Sequence, residues 1–427
     1  SWTRTEAMDS RAHGKRRAVV IGLALVLLAL LQATGLATRI DQAGLDRLLY
    51  LAALGRPLPP AIVLVDIDQK SLEDMNAVAG SWPWPRAVHA ELVDVIAAQQ
   101  PRAIIFDVLF NEADTFRPDS DTLFAEVVAA TPSVYLPTML LSDGDGAPLA
   151  VFPPALRLER TAGADDNARA PLLVPLVVPP EAWRGGTINF LADSDGIGRR
   201  HALAREVGGW RIPSMAARVA DDLGWPRPAT DTVLLNWYGA HQHRYSYADV
   251  YHDLTGSTPQ LADAFRDRIV VIGAAAPGLG DLRPTPMSST YPGVLVLATA
   301  LGNLHDGDWL IDTRHGLLLY ALLPALLLLA FLRRANLLHL GLALAVASVA
   351  LVVAQALLIS RAHVAVHVFA PLAAGWLLYF ALALLSWREE RARREQAVTL
   401  FGRFLDRRVV DNLVEGGGVA AAQTTQA

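Results

Sequence analysis

AIVLVDI, at residues 61–67, is a short β-branched apolar run that ends among acidic residues and follows a proline-rich segment. Two similar runs occur later, AIIFDVL at residues 103–109 and RIVVIG at residues 268–273. Residues 86–98 show the spacing of an amphipathic helix, and residues 119–130 form a second helical pattern. Continuous apolar strands joined by helices predict an α/β domain with a largely parallel sheet and helices on both faces.

Four long apolar runs lie on either side of this region. They cover residues 18–37, 316–332, 337–359 and 364–387. A helix needs about 20 consecutive apolar residues to cross the hydrocarbon core of a bilayer. Each run is close to that length, so the sequence predicts a four-helix transmembrane region and one large water-facing domain at residues 38–315.

Basic residues near the apolar runs predict the orientation of the chain. Cytoplasmic loops of membrane proteins carry an excess of Lys and Arg. The dense basic groups precede the first run, separate the second from the third and follow the fourth: Arg11, Lys15, Arg16, Arg17, Arg333, Arg334, Arg388, Arg391, Arg393 and Arg394. We therefore expect residues 1–17 and the C-terminus to be cytoplasmic, with the domain outside. The first run is longer than a signal-peptide core, which favours an uncleaved anchor.

The composition narrows the class of protein further. Of the 427 residues, 52% are hydrophobic, as is typical of a membrane protein with a substantial soluble part. The net charge of −5 shows no basic excess, so we expect no nucleic-acid partner. The chain has no cysteine, and an exported domain without disulfides must be stabilised by its own core.

A series of short motifs carries a resemblance to a known family. In chain order they are VDIDQKSL at 65–72, SWPWPR at 81–86, AIIFDVLF at 103–110, NFLADSDGIGRR at 189–200, IPSMA at 212–216, NWYG at 236–239, RIVVIGAAAPGLGD at 268–281 and YPGVLVLATAL at 291–301. Together they resemble a CHASE2 domain over about residues 39–312. The resemblance implies an extracytoplasmic sensor of a bacterial inner-membrane receptor that binds an unidentified ligand or protein. The outputs of such receptors include class III nucleotide cyclases, kinases and cyclic-di-nucleotide enzymes.

The segment after the fourth apolar run resembles the linker that precedes a class III adenylate cyclase domain. Within residues 388–415, apolar side chains recur at helical spacing: Val398, Phe401, Leu405, Val409 and Leu413. Such a stripe is typical of a packing face, here against its copy in a homodimer. Residues 416–427 form a tail toward an output domain that the chain does not contain. The resemblance implies that this domain uses ATP with Mg²⁺ or Mn²⁺.

The chain itself shows no catalytic signature, so we do not expect it to be an enzyme. The sequence contains no phosphate-binding Walker loop, GGDEF-like signature or kinase motif set. Two alternatives stay open. One is a sensor that controls a kinase or a cyclic-di-nucleotide enzyme instead of a cyclase, and the other is an exported domain that is itself a metal-dependent hydrolase.

Four carboxylates are candidate ligand-binding residues of the exported domain. Asp66, Asp68, Asp107 and Asp281 lie at or just past the ends of apolar strands, where open α/β sheets place their ligands. Carboxylate oxygens are ligands for Ca²⁺ or Mg²⁺, so the set predicts a divalent cation or another ligand. The alternative is that they cap helices, order turns or pair with arginines.

Two tryptophans and an arginine form a second candidate set. Trp82 and Trp84 alternate with prolines on a stiff loop, and Arg86 follows directly. The indoles either line an apolar ligand pocket or seal the next helix onto the sheet.

Three histidines near the membrane form a candidate metal site. His363 and His367 are four residues apart at the predicted outer end of the fourth run, and His315 precedes the second run at the same depth. Neutral imidazole is a common ligand of transition metals. The alternative is that these histidines form hydrogen bonds at the membrane interface.

Overall fold

A computed structural model describes Val20, Gly22, Ala24, Val26 and residues 28–313, 316–333 and 336–401. The chain divides into two compact units. The α/β unit comprises Gln42–Arg314 and Val353–Val366, and the helical unit comprises Ser1–Asp41, His315–Val352 and His367–Ala427.

The strands all belong to the α/β unit. In chain order they are β1 Ile62–Ile67, β2 Ala103–Asp107, β3 Val134–Tyr135, β4 Met139–Leu140, β5 Ala147–Pro148, β6 Glu159–Arg160, β7 Arg169–Ala170, β8 Leu172–Leu173, β9 Arg200–Ala202, β10 Ala204–Val207, β11 Trp210–Pro213, β12 Thr232–Leu234, β13 Arg244–Ser246, β14 Ile269–Ala274, β15 Leu282–Arg283, β16 Tyr291–Pro292, β17 Ile311–Thr313 and β18 Val364–Val366.

The α-helices follow in the same order. They are α1 Leu36–Ala53, α2 Gln69–Asp74, α3 Asn76–Ala79, α4 Arg86–Ala97, α5 Pro118–Ala130, α6 Met215–Asp222, α7 Tyr247–Thr255, α8 Gly293–Asp306, α9 Gly316–Leu332, α10 Leu337–Leu357 and α11 Phe369–Phe401. Short 3₁₀ segments occur at Leu149–Val151, Pro154–Leu156, Pro180–Ala182 and Pro277–Leu279, and a π-helical turn covers Leu358–Ala362.

A five-stranded sheet forms the centre of the α/β unit. Its strand order is β13-β1-β14-β2-β3, and every neighbouring pair is parallel. The residues of β1 are buried throughout, and those of β14 are buried except at its last position, Ala274. Strands buried on both sides need continuous apolar sequence, which is the pattern of the three predicted runs. The prediction of a largely parallel sheet is confirmed.

Helices cover both faces of this sheet. On one face, α4, α5 and α7 pack onto a core that contains Val65, Phe106, Phe124 and Ile272. On the other face, α8 packs against β14 and β1. The close approach of α8 requires a glycine, because a Cβ at Gly273 would overlap the side chain of Val294. The α/β layer architecture is therefore as predicted.

Residues 144–169 contain short strands and 3₁₀ turns. β6 joins β10 and β11 in an antiparallel sheet, and β5 pairs with β7. A small core of Leu149, Ala170, Trp210 and Ile212 holds this region together. The region therefore has a small hydrophobic core of its own.

Two helices in the described part of the chain are long and apolar enough to cross a membrane, Leu337–Ala362 and Phe369–Thr399. The apolar stretch Leu318–Leu332 is shorter. Residues 18–37 are described only in part, with a turn at Thr34 and Gly35. The structure thus shows two candidate spans where the sequence predicted four.

The start of the last predicted span is corrected by the fold. Val364–Val366 is not helical, because it forms β18 and pairs in parallel with β17. The helix starts instead at Phe369 and continues to Phe401, through the start of the predicted linker. Val398 is exposed on it. The side chain of Phe401, and Leu405, Val409 and Leu413, lie outside the described residues.

The helical unit has a core of its own. Leu327 of α9, Leu344 of α10 and Leu378 of α11 pack together with Val20 and Ala24 near the start of the chain. The indole Nε1 of Trp376 donates a hydrogen bond to the Ser348 hydroxyl at 3.1 Å, which joins α11 to α10. Small residues and polar links of this kind are common between helices in membranes.

Candidate ligand pocket

A pocket of about 300 Å³ opens at the carboxyl end of the parallel sheet. β2 ends with Asp107 opposite Gly273 of β14, and both strands lead into the pocket wall. Its polar lining consists of Asp107, Asn189, Arg200, His201, Asp281 and Arg283. Trp82, Phe190 and Leu279 supply much of its apolar wall. This is the edge at which open α/β sheets bind ligands.

Asp107 is the carboxyl group of the pocket that has no fixed partner. Among the described residues, no group donates a hydrogen bond to it. Burial raises its pKa well above the usual value, and the nearby Asp281 carboxylate raises it further. The Arg283 guanidinium opposes this rise. Asp107 is therefore available to a ligand.

Asp281 is held by its surroundings. The carboxylate of Asp281 lies 2.9 Å from the guanidinium of Arg283, which also stacks over the ring of Phe190. Arg283 is placed here because β15 pairs with β16 directly before α8. A Cβ at Gly293 would overlap the Asp281 carboxylate, so this approach requires glycine.

Arg200 and His201 enter the pocket from β9. A guanidinium nitrogen of Arg200 lies 2.7 Å from the Asp193 carboxylate, and Arg200 also pairs with Asp312 of β17. Burial lowers the pKa of His201 to about 4, with a smaller contribution from Arg205, so this imidazole is neutral at physiological pH. Its Nε2 lies 3.3 Å from the Ser214 hydroxyl.

Residues 21–332, well over half of the chain, match the model of the CHASE2 domain family. The chain belongs to the CHASE2 family. The match includes most of the first predicted span, the whole of the second and the segment Gln42–Arg314 of the α/β unit between them. No curated protein and no solved structure shows significant similarity to the chain. CHASE2 domains are extracellular sensors, so the chain is a CHASE2 sensor protein.

Asp193 and Asp195 of the CHASE2 domain bind a buried arginine. The side chain of Arg199 is 1% exposed. It lies within 3.0 Å of Asp193 and Asp195, and its Nε and Nη2 atoms donate to both carboxylate oxygens of Asp46 on α1. Burial opposes the charge of Arg199, but these carboxylates outweigh it and raise its pKa. The NFLADSDGIGRR motif thus connects the sheet edge to α1.

The four predicted carboxylates do not form one site in the CHASE2 domain. Asp107 and Asp281 share the pocket, whereas Asp66 pairs with Arg244 of β13 and accepts a hydrogen bond from the Ala275 amide at 3.0 Å. Burial raises the pKa of Asp66, and Arg244 opposes the rise. Within the described residues, no group of three or more His, Cys, Asp or Glu side chains is arranged to hold a metal ion.

Asp68 is the N-cap of α2. Its carboxylate accepts hydrogen bonds from the amide of Ser71 at 2.7 Å and from the hydroxyls of Ser71 and Ser246 at 2.6 Å and 2.9 Å. Burial alone would raise its pKa, but these hydrogen bonds outweigh burial and lower it. The alternative reading of this aspartate as a helix cap is supported by this geometry.

Replacing Asp68 with alanine is expected to lower the free energy of unfolding by about 1 kcal/mol, because the first turn of α2 loses its cap. Asp68→Ser should retain most of the stability, since a serine hydroxyl can also accept the amide hydrogen bond. Urea denaturation followed by tryptophan fluorescence measures both. Equal losses in the two variants would contradict a capping role.

The tryptophan motif divides between the pocket and the core. Trp82 lines the pocket, and its ring centroid lies 4.9 Å from that of Trp84. Trp84 is buried against Tyr247, at 4.9 Å between ring centroids. Arg86 pairs with Asp121 of α5 at 2.7 Å, away from the pocket lining. Trp82 therefore lies on the wall of the cavity and Trp84 in the core, and a ligand contact of Trp82 stays a prediction.

The candidate metal ligands His363 and His367 do not lie on one helix. His363 has a left-handed backbone, with φ of 53°, and ends the π-helical turn before β18. His367 follows β18 and precedes α11. The helical spacing that would have aligned the two side chains is absent, because pairing with β17 extends the chain between them. His315 lies outside the described residues.

The sequence did not point to Asn189, Phe190, His201 and Arg283 as pocket residues of the CHASE2 domain. All four belong to or lie next to the motifs that carry the family resemblance, and Arg200 is part of one of them. Their convergence depends on how β9 and β15 are placed at the sheet edge, which no local pattern describes.

Asp107→Asn is expected to stabilise the protein at neutral pH. A carboxyl group whose pKa is raised by folding contributes stability below its unfolded-state pKa, and this contribution is lost as the pH rises through the folded-state pKa. The asparagine variant does not titrate, so its melting temperature relative to the native protein should increase from acidic to neutral pH. Thermal denaturation over this range checks the trend. A difference independent of pH, or one shared by the exposed control Asp94→Asn, would contradict it.

Proposed function

We propose that the chain is the sensor and membrane part of a receptor whose CHASE2 domain binds a ligand in the pocket at the sheet edge. The observation that carries this proposal is the Asp107 carboxyl group, which accepts no hydrogen bond from the described residues and lines a cavity at the carboxyl ends of β2 and β14. Asp107 is half-buried at the end of β2, and a carboxyl group in a cavity lined by apolar and polar side chains is a typical ligand contact.

The proposed topology has four spans, with residues 1–17 and the C-terminal segment in the cytoplasm and residues 38–315 outside. Residues 18–37, 316–332, 337–359 and 364–387 are the proposed spans, the last with its helix starting at Phe369. Two helices of sufficient length and the one-sided basic flanks support this arrangement in the bacterial inner membrane. Residues 388–415 would then form a cytoplasmic helix that dimerises the receptor.

Two adjacent arginines offer a route for the signal. Arg200 lines the pocket and pairs with Asp312 of β17, directly before the proposed second span. Arg199 pairs with Asp46 of α1, which follows the proposed first span. A ligand that moves β9 therefore shifts both segments through charge-assisted hydrogen bonds. Signalling requires that the ligand favour one of two arrangements of these segments.

The proposed output is a cytoplasmic adenylate cyclase domain that converts ATP to cAMP with Mg²⁺ or Mn²⁺. The resemblance of residues 388–418 to a cyclase linker supports this output. Paired metal ions in such a domain would bind the triphosphate and activate the attacking hydroxyl. A change in dimer geometry would suffice to regulate it, because class III sites form between two subunits.

Measuring cAMP production by the natural full-length protein and by the 427-residue chain tests this function. Activity in the full-length protein alone, altered by Asp107→Asn and unaltered by the exposed control Asp94→Asn, is the expected result. No cAMP from a folded full-length protein would overturn the cyclase output. Equal cAMP production by the Asp107→Asn variant and the native full-length protein, from acidic to neutral pH, would overturn the role of the pocket.

A further inference from the structure

We infer that the pocket takes a small organic cation, with an ammonium group on the Asp107 carboxylate and an apolar body against Trp82 and Leu279. This inference rests on the proposed sensor function and names the chemical class of the ligand. Asp107 ends β2 at the pocket wall, and the apolar residues lie on the same cavity.

The charges around the pocket favour a cation over an anion. Arg283 is held by Asp281, and Arg200 is held by Asp193 and Asp312. His201 is neutral at physiological pH, since burial lowers its pKa to about 4. Each cationic group that faces the cavity therefore already has a carboxylate, and an anionic ligand would have to displace one.

The N-terminus of α8, where the helix dipole is positive, already has a carboxylate next to it. α8 begins at Gly293 on the pocket wall, and its N-terminus would attract an anion. The Asp281 carboxylate lies directly against Gly293 and takes this place. The backbone amide of Gly293 donates to the carbonyl of Asp281 at 2.9 Å. Asp107 is then the acidic group of the lining that remains uncompensated.

The volume of the cavity limits the size of the ligand, and its apolar walls favour an apolar body. A volume of about 300 Å³ is at the lower end for small-molecule sites, so the ligand is small. The ring of Trp82 provides an aromatic surface for an apolar group or a cation. The Phe190 ring is already covered by the Arg283 guanidinium, at 5.5 Å from its centroid.

Binding of the cation is coupled to a proton. The carboxyl group of Asp107 is more readily protonated than an ordinary aspartate, since burial and Asp281 raise its pKa against the opposing charge of Arg283. An ammonium group binds the ionised form, so the proton leaves Asp107 for the solvent when the ligand enters. The affinity therefore falls as the pH is lowered through the raised pKa of Asp107.

Three probes that share a phenyl ring and differ in the charge of their polar group test whether the pocket prefers a cation. Phenethylamine, 2-phenylethanol and phenylacetate are titrated calorimetrically into the 427-residue chain in detergent, at neutral and mildly acidic pH. Phenethylamine should bind about tenfold or more tightly than the other two, with weaker binding in acid. Equal or tighter binding of phenylacetate or 2-phenylethanol, or no binding of phenethylamine, overturns the inference.

A matched pair of variants locates the site. Asp107→Asn should weaken phenethylamine binding about ten- to a hundredfold and abolish the proton release, whereas the exposed control Asp94→Asn should bind as the native chain. Unchanged binding by Asp107→Asn overturns the assignment. Both variants are first checked by thermal denaturation, and the three probes on the native chain test the inference without any variant.

The cAMP measurement separates this inference from the proposed function. If phenethylamine fails to bind while Asp107→Asn still alters cAMP output, the ligand class is wrong and the sensor pocket stands. If phenethylamine binds through Asp107 and the full-length protein makes no cAMP, the ligand class stands and the cyclase output is wrong.

Discussion

Arg199→Ala is expected to lower the free energy of unfolding by about 3–5 kcal/mol, the range measured when one member of a buried ion pair is removed. The guanidinium is almost completely buried and contacts three carboxylates. Alanine would leave Asp46, Asp193 and Asp195 close together without a cation. The desolvated carboxylates would then repel one another or take up protons. Urea denaturation of the full chain in detergent, followed by tryptophan fluorescence, measures the loss.

The control for this prediction is an exposed ion pair of the same type. Arg266 lies 2.9 Å from Asp263, and their side chains are 54% and 77% exposed. Arg266→Ala should change the free energy of unfolding by less than about 1 kcal/mol. Arg199→Lys should fall between the two, because lysine keeps the charge and loses the planar set of donors. Similar losses for Arg199→Ala and Arg266→Ala would show that the buried cluster does not stabilise the domain.

Arg199 is also part of the proposed signalling route. Its contact with Asp46 joins the sheet edge to α1, and α1 leads toward the proposed first span. A lysine variant that stays folded in the urea measurement should therefore have altered cAMP output in the full-length receptor. The Arg266→Ala variant should not, because that pair lies on the exposed loop before β14.

Asn303→Ala is expected to lower the free energy of unfolding by about 2–5 kcal/mol, since a buried polar group left without a partner costs about 1–3 kcal/mol and the cavity adds to this loss. Asn303 of α8 is fully buried and acts on the backbone of the NWYG motif. Its side-chain oxygen accepts from the Asn236 amide at 2.9 Å, and its side-chain nitrogen donates to the Asn236 carbonyl at 2.9 Å. Alanine would leave the Asn236 amide unsatisfied and would open a cavity, whereas the Asn236 carbonyl would keep the hydrogen bond from Arg56.

Two variants separate the causes of this loss. Asn303→Asp keeps an oxygen that can accept from the Asn236 amide, but it places a second carboxylate next to Asp308, to which the Asn303 side chain donates at 3.1 Å, so its loss should remain large. Asn76→Ala, at an exposed position in α3, should have little effect. The variants are compared by the urea concentration at the midpoint of unfolding, provided that the dependence of the unfolding free energy on urea is the same in each. A loss for Asn303→Ala no larger than that for Asn76→Ala would contradict the role of these hydrogen bonds.

The main strands and helices of the α/β unit followed from local patterns. β1, β2 and β14 lie within one residue of the predicted starts, because a strand buried on both faces requires an uninterrupted apolar run. α4 and α5 agree for the corresponding reason, since one buried face imposes a helical period on the sequence. The order of the motifs was also sufficient to identify the family.

The membrane segments show where local patterns mislead. Residues 364–366 are as apolar as the helix that follows, and hydropathy alone assigned them to it. They form β18 because β17 offers a free edge of backbone groups. For the same reason His363 and His367, which flank this strand, do not share one face of a helix. A hydrogen-bonded partner elsewhere in the chain decided the local conformation.

The sequence by itself determined the α/β layers and the family, because these depend on periodicity and on chain order. Only the tertiary structure decided which carboxylate serves which purpose. Asp66 and Asp68 lie on the same strand end as each other, yet Arg244 binds one and the first turn of α2 is capped by the other. Asp107 is left for the pocket because no donor in the described fold reaches it. The partners of a side chain come from residues distant in the sequence, so their identity depends on packing rather than on local pattern.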